Sequence, residues 1–286
     1  VDNLSSGDTS YQIDTALFSG KEKELADNLN NISHGMEDVL KEQVKSERLK
    51  ADLITNVSHD IKTPLTSIIN YVDLIKREHI QDPKIQSYLE VLEQKSQRLK
   101  NLTEDLVEAS KASSGNVKLE ISDLNFTELI QQTGGEFEEK FAARRLDLVT
   151  HLPDGKLVIE ADGRRLWRIL ENLYNNACKY AMEGSRVYVD LREEDGMAVF
   201  TIKNVSESPL NIDASELTER FVRGDVARTT EGSGLGLSIA KNLTLLQKGT
   251  FDIIIDGDLF KALVAFPVKK PEEPSAEQAE QTDITE

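Results

Sequence analysis

Residues 51–77 read ADLITNVSHDIKTPLTSIINYVDLIKR, with isoleucine at 54, 61, 68 and 75 and with Val57 and Tyr71 on the second position of the same seam. A seven-residue apolar repeat keeps one side of a helix turned toward a partner helix. The next run repeats the spacing with Ile85, Leu92, Leu99 and Leu106. Between them lies a short break at His79 to Pro83, where Asp82 and Pro83 supply a cap and a first-turn residue. Two heptad helices joined by a few residues make an antiparallel hairpin. Such a hairpin has little core of its own, and a second copy completes a four-helix bundle, so the pattern predicts a homodimer.

Upstream, Lys21 to about Glu78 reads as one helix, with apolar positions at Leu25, Leu29, Ile32, Met36, Val39 and Leu40. Past Ser113, Ser114 and Gly115 the periodicity becomes mixed. Phe126–Phe141 reads as helix, and Leu146–Leu152 and Leu157–Glu160 alternate like strands. An Asp-capped helix runs from Asp162 to about Met182, ahead of Gly184. Arg186–Arg192 and Met197–Asn204 form a hairpin about Asp195-Gly196. A glycine-led helix covers Gly232–Gly249, and Phe251–Asp256 with Phe260–Val268 form a last hairpin about Gly257. The expected fold is multidomain: a helical hairpin forming a dimeric bundle, then an α+β domain with helices over an antiparallel sheet.

The formal net charge of −17 over 286 residues argues against broad contact with nucleic acid or anionic lipid, which requires clustered Lys and Arg. The single cysteine, Cys178, forms no internal disulfide; a reducing compartment is expected, and the thiol reads as packing rather than as a reactive group. No apolar run is long enough for a membrane span or signal peptide, so any membrane anchor is expected upstream. The acidic stretch from Lys270 to Glu286 reads as disordered.

With Ile54 opening its heptad, His59 falls at the sixth place, facing solvent rather than the seam. Thr63 shares its face, Asp60 is adjacent, and Pro64 crowds the carbonyl of Asp60 and removes a helix hydrogen bond. A neutral imidazole is nucleophilic, and a carboxylate that takes the proton of one ring nitrogen makes the other more basic. An isolated His-Asp pair on a helix is more commonly just a solvated surface. His34, His79 and His151 lack such company and read as structural or surface residues, and no His or Cys spacing suggests zinc.

On the helix from Asp162, Asn172, Asn176 and Lys179 share one face, opposite Leu166, Leu170, Leu173 and Ala177. Spacing alone fits a solvated face as well as a ligand site. Amide oxygens can ligand Mg²⁺, a lysine can meet phosphate, and Tyr180 could pack against a base. In GSGLGLSIAK (232–241), Gly232, Gly234 and Gly236 let successive backbone amides aim at one anion at a helix start. An ordinary glycine-rich helix entry would look similar. The run lacks the GK[ST] of a Walker P-loop.

Taken whole, NVSHDIKTPLTSI (56–68) resembles the H-box of sensor histidine kinases. ENLYNNACKYA (171–181) resembles the N-box of the ATP-binding domain that these kinases share with heat-shock and mismatch-repair ATPases. ERFVRG (219–224) followed by the glycine run resembles the family's F-box and G2 box in their usual order. The resemblance implies a Bergerat-type α/β sandwich binding ATP and Mg²⁺, with His59 as phosphoacceptor and Asp60 as its acid/base partner. Thr63 would position water when a partner's phosphate is hydrolysed. Asn172, Asn176, Lys179, Tyr180, Gly232, Gly234, Leu235 and Gly236 would hold the nucleotide, with Asn176 as metal ligand. Phe221 would anchor a lid; Arg223 would reach phosphate or be an ordinary surface arginine. In FTIKNVSES (200–208), Asn204 stands where the family has an adenine-reading Asp, and the two glycines expected after it are absent.

The implied organisation is 1–46, a partial segment similar to a HAMP signal relay; 47–115, dimerisation and phosphotransfer; 116–268, ATP binding; and 269–286, a disordered tail. The implied function is autophosphorylation and transfer to an aspartate on the receiver domain of a response regulator, and phosphatase activity toward it, in the cytoplasmic part of a cell-membrane sensor. The alternatives are a degenerate kinase acting as a dimeric scaffold, or an ATPase of the same fold.

Overall fold

The computed structural model describes residues 13–14, 18–78, 80–114, 117–214, 216–218 and 234–269. Its contacts divide the chain into two compact units, Val1–Pro64 and Leu65–Glu286. The first expected helix is a single element, α1 (Lys21–Arg77), which continues unbroken through Pro64. No described helix is long and apolar enough to cross a membrane.

In the first unit, α1 begins after Gly20, whose φ of 59° turns the chain into the helix. Ten residues into α1, Asn30 reaches back to the preceding segment. Its Oδ1 accepts from the Ile13 amide at 2.8 Å, and its Nδ2 donates to the Ile13 carbonyl at 2.9 Å. Ala26 and Ser33 are buried, while Leu25, Ile32, Met36 and Val39 lie exposed on α1.

The second unit starts with the end of α1 and a second helix, α2 (Pro83–Ser113). Asp82 caps α2 by accepting from the Lys84 amide at 2.8 Å, with Pro83 in the first turn where no amide is needed. Of the expected break, His79 lies outside the described residues. Lys76 of α1 meets Glu93 of α2 at 2.7 Å. Besides Ala109 and Ala112 near the end of α2, the buried positions are Leu65 and Val72 on α1, and Leu89, Ser96, Thr103 and Ser110 on α2. They keep the seven-residue spacing but stand four positions beyond the seam singled out by sequence. That seam, represented by Ile68, Ile75, Ile85, Leu92 and Leu99, is between 38% and 49% exposed.

The remaining elements are β1 (Ser122–Asn125), α3 (Phe126–Ala143), β2 (Asp147–His151), β3 (Val158–Ala161), α4 (Gly163–Tyr180), β4 (Arg186–Glu194), β5 (Met197–Val205), α5 (Gly236–Leu246), β6 (Thr250–Asp256) and β7 (Leu259–Pro267). They form a five-stranded sheet ordered β2-β4-β5-β7-β6, plus a β1-β3 ribbon. The sheet is mixed, which corrects the antiparallel expectation: β2 runs parallel to β4, from Asp147 opposite Arg186 to His151 opposite Asp190. A parallel pair needs a long crossover, and here β3 and α4 supply it. The short strand β1 was not anticipated, because Ser122–Asn125 has too few apolar residues to alternate visibly. The Asp195-Gly196 tip has φ of 50° and 75° at its two residues, the paired left-handed turn that suits a tight hairpin.

The core is aromatic. Phe126, Phe137, Phe141, Tyr174, Phe200 and Phe266 are fully buried, with the Phe137 and Tyr174 rings 5.3 Å apart. The end of α2 joins this core through Leu106, Ala109 and Ala112. Gly249 is fixed by close approach, because a Cβ there would stand 2.8 Å from the Ala265 carbonyl oxygen. The stretch 270–286, expected to be disordered, lies outside the described residues.

The Tyr174 hydroxyl is buried with no hydrogen-bond partner among the described residues, and burial pushes its pKa well above the usual range. Tyr174→Phe is therefore expected to leave stability unchanged or raise it by up to about 1 kcal/mol, since a desolvated hydroxyl is removed at no lost bond. Phe137→Ala, by contrast, should cost about 3–5 kcal/mol through the cavity it leaves. Urea denaturation of the two variants measures both.

Candidate active site

His59 belongs to the first unit and projects from α1 into solvent, with its side chain 80% exposed and that of Asp60 86% exposed. The imidazole Nδ1 stands 3.8 Å from Asp60 Oδ1, beyond hydrogen-bond length yet within reach of a small side-chain rotation. Thr63, one turn on, is also exposed. Pro64 lacks the amide that would bond the Asp60 carbonyl, so the helix is weakened one turn after the imidazole.

The second unit contains a cavity of about 930 Å³. Helix α4 forms its principal wall because it is sharply two-sided. Leu166, Ile169, Leu170, Leu173, Tyr174 and Ala177 are buried in the core, which leaves Asn172, Asn175, Asn176, Lys179 and Tyr180 lining the cavity. Both ends of α4 are anchored. At the start, the Asp162 carboxylate accepts from the Arg165 amide at 3.1 Å and the Glu120 amide at 2.9 Å, while its own amide donates to Gln247 Oε1 at 2.7 Å. At the end, the Arg144 guanidinium donates to the Lys179 and Ala181 carbonyls at 3.0 and 3.2 Å and to Glu207 at 2.8 Å. The helix stops at Tyr180, short of the expected Met182, because Ala181 turns extended and bridges to Ser206.

Asn204 on β5 is buried in the cavity floor beside Phe260. Its Nδ2 donates to the Val205 carbonyl at 3.2 Å, which leaves the amide oxygen as the atom that can accept from a ligand. Ser206 and Ser208 follow, and the Ser206 hydroxyl bonds the Ser208 carbonyl at 2.7 Å. Gly234, with φ of 70°, and Gly236 line the opposite side. A Cβ on Gly236 would stand 3.1 Å from Asn172 Oδ1. Glycine is thus what lets this backbone approach the amide.

Asn172, Asn176, Lys179, Tyr180, Asn204, Gly234 and Gly236 are therefore brought together in one cavity. Leu235 is not among its lining residues. Its side chain is buried in the core, and its carbonyl accepts from the Ser238 hydroxyl at 2.8 Å and the Ile239 amide at 2.9 Å, so it serves as the start of α5. Phe221, Arg223 and Gly232 lie outside the described residues. Sequence reasoning missed Arg168, Glu171, Asn175 and the Ser206–Ser208 floor. Arg168 sits four residues before Asn172, a spacing that could have flagged it. The floor residues come from a loop with no periodicity to read.

Arg168 is held by carboxylates: its Nε donates to Glu108 at 2.8 Å, and its terminal nitrogens donate to Asp105 and Glu171. Burial works against its charge, yet hydrogen bonds and attraction from Glu171 and Glu108 hold the guanidinium proton more firmly than usual. Cys178 is half-buried, its thiol near the Lys140 carbonyl at 3.6 Å and its pKa raised by burial against the opposing pull of Arg144, Lys140 and Lys179. It is a packing residue. His34 is an exposed neighbour of Glu37 and Asp38, and His151 contacts Asp190 across the strands at 2.8 Å.

Gly236→Ala is expected to push the Asn172 amide aside and weaken binding of the expected nucleotide about tenfold, a loss of about 1.4 kcal/mol. Calorimetric titration with ATP checks this, and the thermal midpoint of the ligand-free variant should remain near that of the parent.

The His Kinase A (phospho-acceptor) domain matches residues 49–115, and the histidine kinase-, DNA gyrase B- and HSP90-like ATPase domain matches residues 161–284. Among curated relatives, the sensor histidine kinase WalK of Bacillus subtilis is 28% identical over 73% of this chain and 35% of its own length. Sensor histidine kinase YcbM of the same organism is 25% identical over 81% of this chain and 75% of its own. The sensor protein VanSC of Enterococcus gallinarum is 30% identical over 72% and 57%. The chain thus spans from about a third to three quarters of the length of these relatives. Full-length ShkA in complex with AMPPNP shares the fold over 78% of this chain and 47% of its own, at 20% identity and a TM-score of 0.66. The histidine kinase AdeS of Acinetobacter baumannii does so over 74% of this chain and 98% of its own, at 18% identity and a TM-score of 0.53. With a phospho-acceptor domain around an outward histidine and an ATP-binding domain around an amide-lined cavity, the chain belongs to the two-component sensor histidine kinases.

Proposed function

We propose that this chain is the cytoplasmic part of a homodimeric membrane sensor that phosphorylates its own His59 from Mg-ATP and passes the phosphoryl group to a response-regulator aspartate. The observation that carries this reading is the uncovered imidazole beside Asp60 on a chain that also holds a nucleotide-sized cavity with convergent amides. Because Nδ1 is the ring nitrogen nearest Asp60, Nε2 is the attacking atom. Its lone pair forms the N–P bond as the bond from the γ-phosphorus to the bridging oxygen breaks and ADP leaves, while Asp60 holds the Nδ1 proton. Asn172 and Asn176 offer neutral oxygens suited to Mg²⁺, which would offset charge on the polyphosphate. Lys179 meets phosphate, Tyr180 packs against the base, and Asn204 accepts from the adenine amino group. Lacking the charge of a carboxylate, Asn204 gives up about 1 kcal/mol of that interaction.

The half-exposed seam of Ile68, Ile75, Ile85, Leu92 and Leu99 supports pairing with a second copy across 47–115. The bonds between Asn30 and Ile13 support a relay role for 1–46, in which Ile13, ahead of α1, is strapped to that helix. Thr63 and Asp60 on the exposed face suit hydrolysis of the regulator's phosphate. One observation favours a second reading, a degenerate dimeric scaffold: Asn204 with Ser206 and Ser208 in place of the family's Asp and glycines.

His59→Gln is expected to abolish labelling from γ-labelled ATP while ATP affinity stays within about twofold, since the nucleophile alone is removed. Equal labelling of parent and variant would refute the assignment. Absence of label on the parent at millimolar Mg-ATP would favour the scaffold. Pairing is tested separately, because Ile68→Asp with Leu92→Asp should sediment as a monomer at concentrations where the parent is a dimer.

A further inference from the structure

Arg168 stands one turn before Asn172 on the cavity face of α4, yet its nitrogens are all engaged by carboxylates, two of them from α2. Arg165 joins the cluster by donating to the second oxygen of Glu108 at 3.2 Å. Two guanidiniums thus face three carboxylates, leaving a surplus negative charge. Asp105, Glu171 and Arg168 all line the cavity itself. A polyphosphate entering there meets two carboxylates whose compensating cation is a planar donor fork that also fits phosphate oxygens. The two demands on one guanidinium conflict. The same interactions tie the last turns of α2 to α4, beside Leu106, Ala109 and Ala112 in the core.

We propose that Arg168 is a polyphosphate-binding residue of the nucleotide cavity, and that Asp105 and Glu108 of α2 compete with the nucleotide for it. Binding of ATP and the clasp between α2 and α4 then oppose one another, and by linkage the opposition is reciprocal: whatever loosens the clasp tightens ATP, and ATP loosens the clasp. The inference rests on the nucleotide reading of the cavity.

The test uses the whole chain with two probes, Mg-ATP and adenosine, which share the base but not the polyphosphate. Asp105→Asn with Glu108→Gln should bind Mg-ATP about five- to tenfold tighter, and Arg168→Gln about tenfold weaker, the scale of one charge-assisted hydrogen bond made or broken. Adenosine affinity should be the same in all of them. In the Arg168→Gln background the two acid substitutions should no longer tighten Mg-ATP. An unchanged Mg-ATP affinity in the acid double variant overturns the proposal, and so does an equal shift for adenosine and Mg-ATP, because a purely structural Arg168 would move both probes together. The acid variant also guards against misfolding of Arg168→Gln, since it keeps the guanidinium. A parent chain that binds neither probe defeats the nucleotide reading and this inference with it, whereas a parent that binds both without the expected differences defeats this inference alone.

Discussion

The cavity exists because one face of α4 is buried in an aromatic core. Leu166, Ile169, Leu170, Leu173, Tyr174 and Ala177 are buried there, so Arg168, Asn172, Asn176 and Lys179 are presented together on the opposite face. No one of these polar groups would hold a polyphosphate in water. Presented at fixed spacing, they are placed to act jointly on the proposed nucleotide, because the entropy of bringing each into place is already lost on folding. The anchors at Asp162 and Arg144 extend the constraint to both ends, so the register of the polar face relative to the glycine backbone at Gly234 and Gly236 is set by packing rather than by the ligand.

The phosphoacceptor helix follows the opposite logic. The proposed phosphoacceptor, His59, is left uncovered because α1 places its apolar positions elsewhere. Isolated helix surfaces carry many such histidines to no effect. What distinguishes this one is the adjoining carboxylate and a proline one turn on that leaves the Asp60 carbonyl without its helical donor.

Two seams run along the hairpin and serve different ends. Leu65, Val72 and Leu89, together with the small residues Ser96, Thr103 and Ser110, are buried in the single chain, whereas the isoleucine and leucine seam remains half-exposed. That half-exposed seam lies on the side proposed to pair with a second copy. The clasp of Arg168 with Asp105 and Glu108 adds a third relation, joining α2 to the cavity wall through charge, beside the apolar contacts of Leu106, Ala109 and Ala112. Such a link is more readily exchanged for another anion than a packed apolar surface is.

Periodicity was enough to read the two hairpin helices, the two-sided character of α4, the outward His59 and the hairpin tips, because each is set by residues within a few turns of one another. Spacing and glycine chemistry marked Asn172, Asn176, Lys179, Tyr180, Gly234 and Gly236 as candidates, and the family resemblance alone marked Asn204; all of them line the cavity. What the sequence did not disclose depends on partners far along the chain. Arg168 meets Asp105 and Glu108 from another helix, and Arg144 grips the end of α4 and Glu207. The parallel pairing of β2 with β4 depends on where a crossover lands, and Leu235 turned inward because the core needed its side chain more than the cavity did. Local chemistry determined which faces are apolar and which residues can react; only the closing of the sheet and helices over one core decided which of those faces would meet.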